Sequence, residues 1–252
     1  MDPFALTCNP GAYVARPACE AVLAELARLV SCGSITALSG PPGIGKTLML
    51  RVLERRLAGR LRCVYVPYGA LGFEELCQLA LGLLGTRVAS GSGASTELAV
   101  LARRGAASGE PLLLLLDDAG AIPLATLRSL VAFSRSLDGA LRLLAVPVDE
   151  ARSAQVLATL GAEVGHVRFA EPMSAAETER YVAGRLATQS ASEPACERLT
   201  PERVRWLHRE SAGIPRRLHQ LVAWIQHRDG LAPDTTPPLS ADGPRLELDP
   251  SA

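Results

Sequence analysis

Apolar residues fall at Val22, Leu23, Leu26, Leu29 and Val30, the interval of one helical face, so the pattern predicts a helix over about 17–31. Pro17 suits its first turn and Gly33 its end. The next segment, 34–39, reads as a short strand. From Lys46 to Leu57 the period is helical again, with Leu50, Leu53 and Leu57 on one side. Strand patterns recur at 61–66, 112–116, 140–146 and 164–169. Helical patterns lie between them at 72–84, at about 96–107, from Pro123 to near Gly139, and at 150–160. The run Leu112–Leu116 is apolar without alternation, as a strand covered on both faces requires. Strands alternating with helices predict a parallel sheet flanked by helices.

The pattern changes after Pro172. Ser174-Ala175-Ala176-Glu177 is a capping box and opens a helix to about Ala187. Thr200-Pro201-Glu202 opens a second, and a third follows the break at Gly213-Ile214-Pro215 and runs to about His227. Four segments are therefore expected: an N-terminal extension and helix (1–33), an α/β core (34–170), a small helical lid (171–228) and a disordered tail (229–252). The Gly/Ser-rich stretch from Thr86 to Ser95 reads as a flexible loop.

Composition narrows the function. The chain has 252 residues, 48% of them hydrophobic, which is enough for a real core. Its 26 basic and 26 acidic residues cancel, which disfavours a general grip on nucleic acid. Aromatics at 4% disfavour a base-stacking surface. The six cysteines include no CxxC pair, and free thiols in a reducing compartment are expected. The N-terminus lacks a basic stretch followed by an apolar one, so a cytoplasmic protein is expected.

The chemistry sits between the first strand and the next helix. Gly40-Pro41-Pro42-Gly43-Ile44-Gly45-Lys46-Thr47 satisfies G-x-x-x-x-G-K-[ST], and Leu48 follows inside the helix. This is the phosphate loop of ATP-binding proteins. Its backbone N–H groups and the positive end of the helix receive phosphate, Lys46 reaches the β- and γ-phosphates, and the Thr47 hydroxyl meets Mg²⁺. Lys46 is the only lysine, although the chain holds 26 Lys and Arg together. A compact ammonium fits where a planar guanidinium does not. The apolar strand then ends in Asp117-Asp118. Asp117 is placed to hold Mg²⁺ through water, and Asp118 to orient the attacking water. Arg216, in Gly213-Ile214-Pro215-Arg216-Arg217, opens the last helix and is a candidate to sense the γ-phosphate.

These elements in this order resemble an AAA+ ATPase with a helical lid. More narrowly, residues 2–226 resemble the ATPase domain of ExeA-type secretion proteins, including relatives in pilus and exopolysaccharide clusters. The likeness rests on the opening Asp2-Pro3-Phe4-Ala5-Leu6-Thr7 with Asn9-Pro10 and Tyr13, and on Phe73-Glu74-Glu75-Leu76 through Leu84-Gly85. It also rests on Tyr181 to Leu186 and on Ser211 to Arg216. The resemblance implies that Arg216 is a sensor-2 arginine. It implies ATP and Mg²⁺ as ligands, a homo-oligomer on ATP binding, and a protein partner at the inner membrane through which any membrane role passes.

Three accessories depart from the family. Asp118 replaces a glutamate, Ala145-Val146-Pro147 replaces a segment with a polar sensor, and Glu163 stands where an arginine acting on a neighbouring subunit is common. Arg152 and Arg168 are candidate substitutes for that arginine. The departures point to tight ATP binding with slow hydrolysis. The expected role is a slow switch in envelope secretion. The alternatives are a DNA-directed regulator of the transposition type and a nucleotide-binding scaffold with little turnover.

Overall fold

The computed structural model describes residues 4–67, 69–86, 92–147, 150–188 and 199–227. The tail expected over 229–252 lies outside them, as does most of the expected loop after Thr86. The chain divides into two units. One is Thr7–Pro172; the other joins the described residues of Met1–Leu6 to those of Met173–Ala252.

In the first unit the described elements are α1 (Pro17–Cys32), β1 (Ile35–Ser39), α2 (Lys46–Leu57), β2 (Arg62–Val66), α3 (Phe73–Leu83) and α4 (Ala94–Ala107). They continue with β3 (Leu112–Asp117), α5 (Leu124–Arg135), β4 (Leu141–Val146), α6 (Glu150–Leu160) and β5 (Gly165–Arg168). The strands pair in parallel in the order β2-β3-β4-β1-β5. Parallel neighbours need a crossover, and the helices between strands supply it.

Side chains of a strand alternate between faces, and the apolar runs follow from that. Leu112, Leu114 and Leu116 of β3 join one core with α3, α4, α5 and α6. Leu113 and Leu115 join the other, with α1 and α2. β4 divides the same way, Leu141, Leu143 and Ala145 to the first core and Leu144 and Val146 to the second. A strand covered on both faces takes apolar residues at successive positions, which is why no alternation is visible along β3.

The helices begin and end where side chains or glycines allow. The α1 helix starts at Pro17 and stops against Gly33. It is fastened to α2 by Glu20, whose carboxylate accepts both guanidinium branches of Arg56 (2.7 and 2.9 Å) and the Tyr13 hydroxyl (2.8 Å). The pattern expected α5 to begin at Pro123, and that residue caps it. The expected start of α4 at Thr96 moves to Ala94, where Glu74 of α3 accepts from the Ser95 backbone N–H at 3.0 Å and from its hydroxyl.

The second unit contains α7 (Ala175–Thr188), α8 (Pro201–Ser211) and α9 (Pro215–His227) among its described residues. The capping box is formed in both directions. The Glu177 N–H donates to Ser174 Oγ (3.2 Å), and the Ser174 N–H donates to the Glu177 carboxylate (2.9 Å). Phe4 packs in this unit's core with Met173, Val182, Leu207, Leu218 and Val222. The sequence pattern had grouped residues 1–33 as one extension, whereas the contacts divide it at Leu6. A single buried phenylalanine carries no periodicity, so nothing in the pattern could assign it.

Thr200 caps α8, its hydroxyl accepting from the Arg203 N–H at 3.3 Å. Replacing it by alanine removes the acceptor without touching a core. Thr200→Ala is expected to lower stability by about 1 kcal/mol in urea unfolding. A loss under a few tenths of that would mean the cap contributes nothing.

Candidate nucleotide site

The loop between β1 and α2 is shaped by its glycines. Gly43 has φ 79° and Gly45 has φ 109°, both in the region glycine tolerates best. Ile44 between them is buried at 2% exposure in the α1–α2 core and pins the loop to it. Pro42 is exposed, and Pro41, Gly43 and Thr47 are half-buried. Leu48 packs its side chain against the same core, so only its backbone is left to meet a ligand. Gly40 has a different reason to be glycine. A Cβ there would lie 1.9 Å from the carbonyl oxygen of Phe169, the residue after β5. At Gly40, therefore, strand packing alone already requires a glycine.

Lys46 is buried at 7% exposure, unusual for a lysine. Its ammonium donates to the carbonyls of Gly40 (2.6 Å) and Pro41 (3.2 Å), so it spans the mouth of its own loop. The next residue reaches across to the sheet. The Thr47 hydroxyl donates to Asp117 Oδ2 at 2.9 Å, bridging the start of α2 and the end of β3. Asp117 also receives its neighbour's backbone, Asp118 N–H to Oδ1 at 3.1 Å. Asp118 itself has φ 48° and ψ 46°, the left-handed region, and opens the single turn Ala119–Ala121. Aspartate tolerates this conformation better than most residues.

One member of the site had no part in the sequence reading. Tyr65 on β2 donates its hydroxyl to Asp117 Oδ2 at 2.7 Å. Burial, and then the hydrogen bond to Asp117, push the phenol's pKa up from its ordinary value, so it stays a donor. The Arg51 guanidinium covers its ring at 3.8 Å from the centroid and pairs with Glu54 at 2.9 Å. The available signal was a tyrosine near the end of a strand in a chain with 4% aromatics.

Ala145 and Val146 are fully buried in β4, and Val146 lies beside Asp117 in register. Glu163 is exposed. Arg152 is exposed and donates to the carbonyl of Gly120 at 2.8 Å, in the turn after Asp118. Arg168 is exposed at the end of β5. Ser39, just before Gly40, hydrogen-bonds His166 of β5 at 2.7 Å. Burial, with Arg168 adding, lowers the His166 pKa. Lys46, Thr47, Asp117 and Asp118 therefore share one end of the sheet. Arg216 belongs to the other unit, exposed in the first turn of α9.

The donors suit a Mg²⁺-nucleotide. Mg²⁺ takes oxygen ligands and keeps several waters, needing only a hydroxyl and a carboxylate from protein. Thr47 and Asp117 would supply such a pair, beside the buried Lys46 ammonium and a loop whose glycines leave its backbone open.

Comparison with known proteins bears on the fold. Residues 31–152 match the AAA domain family. That span runs from the end of α1 into α6 and contains the phosphate loop and both aspartates. The chain has the AAA+ P-loop fold, a parallel five-stranded sheet between helices. Solved structures share it at low identity. A Walker-type ATPase of Pyrococcus abyssi superposes with TM-score 0.67 at 12% identity, covering 90% of this chain and 72% of its own. The ORC2 protein of Aeropyrum pernix, solved in ADPNP-ADP complexes, gives 0.63 at 18%, covering 91% and 69%. Cdc6p of Pyrobaculum aerophilum gives 0.62 at 19%, covering 88% of this chain and 63% of its own. This chain thus spans less than two thirds of that Cdc6p chain. Among curated sequences, ABC transporter G family member 33 of Arabidopsis thaliana is 36% identical over 56 residues, 22% of this chain and 4% of that protein. The AAA+ fold implies nucleotide binding. No helix among the described residues is long and apolar enough to cross a membrane.

Proposed function

We propose that the chain is an ATP-driven switch that binds ATP-Mg²⁺ tightly and hydrolyses it slowly. The observation that carries this reading is the Thr47–Asp117 bridge at 2.9 Å beside the buried Lys46 ammonium. In it Lys46 holds the β- and γ-phosphates, and Thr47 and Asp117 hold Mg²⁺. Bound Mg²⁺ supplies charge neutralisation on the phosphoryl oxygens. A water oxygen attacks the γ-phosphorus, the bond to the bridging oxygen breaks, ADP leaves, and the water's proton passes to Asp118. Arg216 takes the sensor-2 role that the resemblance of residues 2–226 implies.

Slow turnover follows from three positions. Asp118 is one methylene shorter than glutamate, Val146 and Ala145 offer no polar group beside the γ-phosphate, and Glu163 cannot act as an arginine finger. A carboxylate misplaced by about 1 Å costs on the order of a hundredfold. Asp118→Asn keeps the shape and tolerates the same left-handed backbone. It is expected to cut kcat about tenfold or more while leaving the nucleotide Kd within about twofold. An unchanged kcat would remove Asp118 from the chemistry.

We assign the switch to a bacterial envelope secretion or export system, in the cytoplasm, as an oligomer acting through a protein partner at the inner membrane. The support is the resemblance of residues 2–226 to ExeA-type ATPases. A second reading, a DNA-directed regulator, draws on the neighbouring folds, which include Drosophila ORC bound to DNA (TM-score 0.52, 17% identity). The balanced charge of 26 basic and 26 acidic residues weighs against it. Steady-state ATPase assays with and without duplex DNA, from low to moderate salt, separate the two. Strong, salt-sensitive stimulation supports the second reading, and none at low salt the first.

A further inference from the structure

The Asp117 carboxylate is already fixed on both oxygens by the protein alone. Its Oδ1 takes the Asp118 N–H (3.1 Å), and its Oδ2 takes the hydroxyls of Thr47 (2.9 Å) and Tyr65 (2.7 Å). The first two partners belong to the phosphate-binding machinery. Tyr65 does not, since it comes from β2, which carries none of the motif residues.

The origin of this contact is the strand register. β2 pairs with β3 so that Tyr65 stands beside Leu115, two residues before Asp117. Both point toward the α2 side of the sheet, where Tyr65 packs partly buried against the core shared with α1 and α2. A shorter side chain at 65 would not reach the end of β3.

The ring is held from the opposite direction. Arg51 lies one helical turn beyond Thr47 on α2, places its guanidinium over the tyrosine ring at 3.8 Å, and is oriented by Glu54 at 2.9 Å. Tyr65 therefore touches both elements that carry the metal-binding pair: α2 through its ring and β3 through its hydroxyl. Rotating the Asp117 carboxylate would break bonds on both of its oxygens. Preorganisation of this kind spares the ordering cost when the ligand arrives.

We propose that Tyr65 is a positioning residue for the Mg²⁺-nucleotide site, its hydroxyl fixing the Asp117 carboxylate for the cation and Arg51 fixing its ring. This rests on the nucleotide reading above. Outer partners of metal-binding carboxylates commonly change metal affinity about 10–100-fold when lost, and Tyr65 is such a partner by geometry.

The test is a Mg²⁺ titration of a fluorescent ATP analogue on the full chain, native against Tyr65→Phe. The substitution removes one oxygen and keeps the ring under Arg51. The Mg²⁺ concentration at half-maximal binding is expected to rise about fivefold or more. Binding in excess chelator is expected to stay within about twofold, because no phosphate contact is lost. Arg51→Met keeps the hydroxyl but releases the ring, and is expected to shift the midpoint in the same direction by less. An unchanged or lowered midpoint in Tyr65→Phe overturns the proposal. So does an equal loss with and without Mg²⁺, which marks a merely structural role. If the native chain binds no nucleotide, the nucleotide reading falls and this inference falls with it. If it binds and only the Tyr65→Phe shift is missing, this inference alone falls.

Discussion

Lys46→Arg is expected to lower the affinity for ATP-Mg²⁺ by at least about a hundredfold, although the charge is conserved. Hydrogen bonds from a charged donor contribute about 1.5–3 kcal/mol each, and two misplaced ones exceed the 2.7 kcal/mol that a hundredfold represents. The geometry explains why charge is not enough. The ammonium is 7% exposed and sits 2.6 Å from the Gly40 carbonyl and 3.2 Å from that of Pro41. A guanidinium is planar and wider, and entering that space would push the loop off its glycine conformations. Lys46→Met should do the same by removing the charge, so the two variants bracket the cause. Fluorescent-nucleotide titration reads the loss, and circular dichroism melting checks the fold. Retention of affinity within about threefold in either variant would remove Lys46 from the site.

The same residue permits an independent measurement. Lys46 is the only lysine among 252 residues, so an amine-reactive reagent has one side chain to modify. Peptide mapping separates it from the α-amino group. Saturating ATP-Mg²⁺ is expected to protect Lys46 from labelling, and equal labelling with and without nucleotide would contradict phosphate contact.

Much of the fold was readable because each element carries its own period. Leu50, Leu53 and Leu57 marked the buried side of α2, and all three are in the core. The unbroken run from Leu112 to Leu116 marked a strand with two covered faces, and its leucines do part between the two cores. The phosphate loop was readable because its residue types are dictated locally. Long-range pairing has no local signature. The contact between Tyr65 and Asp117 spans 52 positions and depends on which strand neighbours β3 and in what register. The role of Gly40 depends on Phe169, far along the chain, and that of Phe4 on helices beyond residue 173. In each case the residue type was visible and its partner was not.

Gly40 shows what that distinction costs if ignored, since a motif reading treats it as one of three interchangeable glycines. The two others answer to backbone conformation: a Cβ on Gly45 would meet nothing within 4 Å, and its restriction is φ 109°. At Gly40 a Cβ would stand 1.9 Å from the Phe169 carbonyl oxygen and 2.9 Å from its carbon. The obstacle is backbone, and it is tied down, because the Phe169 N–H donates to the Ser39 carbonyl at 2.7 Å. The Phe169 side chain is itself buried at 1% exposure. Neither partner can move without parting β1 from the chain leaving β5. Overpacking of this kind costs about 1–3 kcal/mol, with backbone strain adding to it. Gly40→Ala is therefore expected to destabilise Thr7–Pro172 by about 3 kcal/mol or more, lowering its melting temperature by about 6–12 °C. It should also weaken ATP binding, because the Gly40 carbonyl is one of the two that position Lys46. Gly45→Ala separates the two effects, since it strains the loop without touching β5 and should weaken binding more than it lowers the melting temperature. Thermal unfolding by circular dichroism, run on both variants without nucleotide, decides the matter. If Gly40→Ala melts within about 2 °C of the native chain, the close approach of Phe169 does not constrain this position.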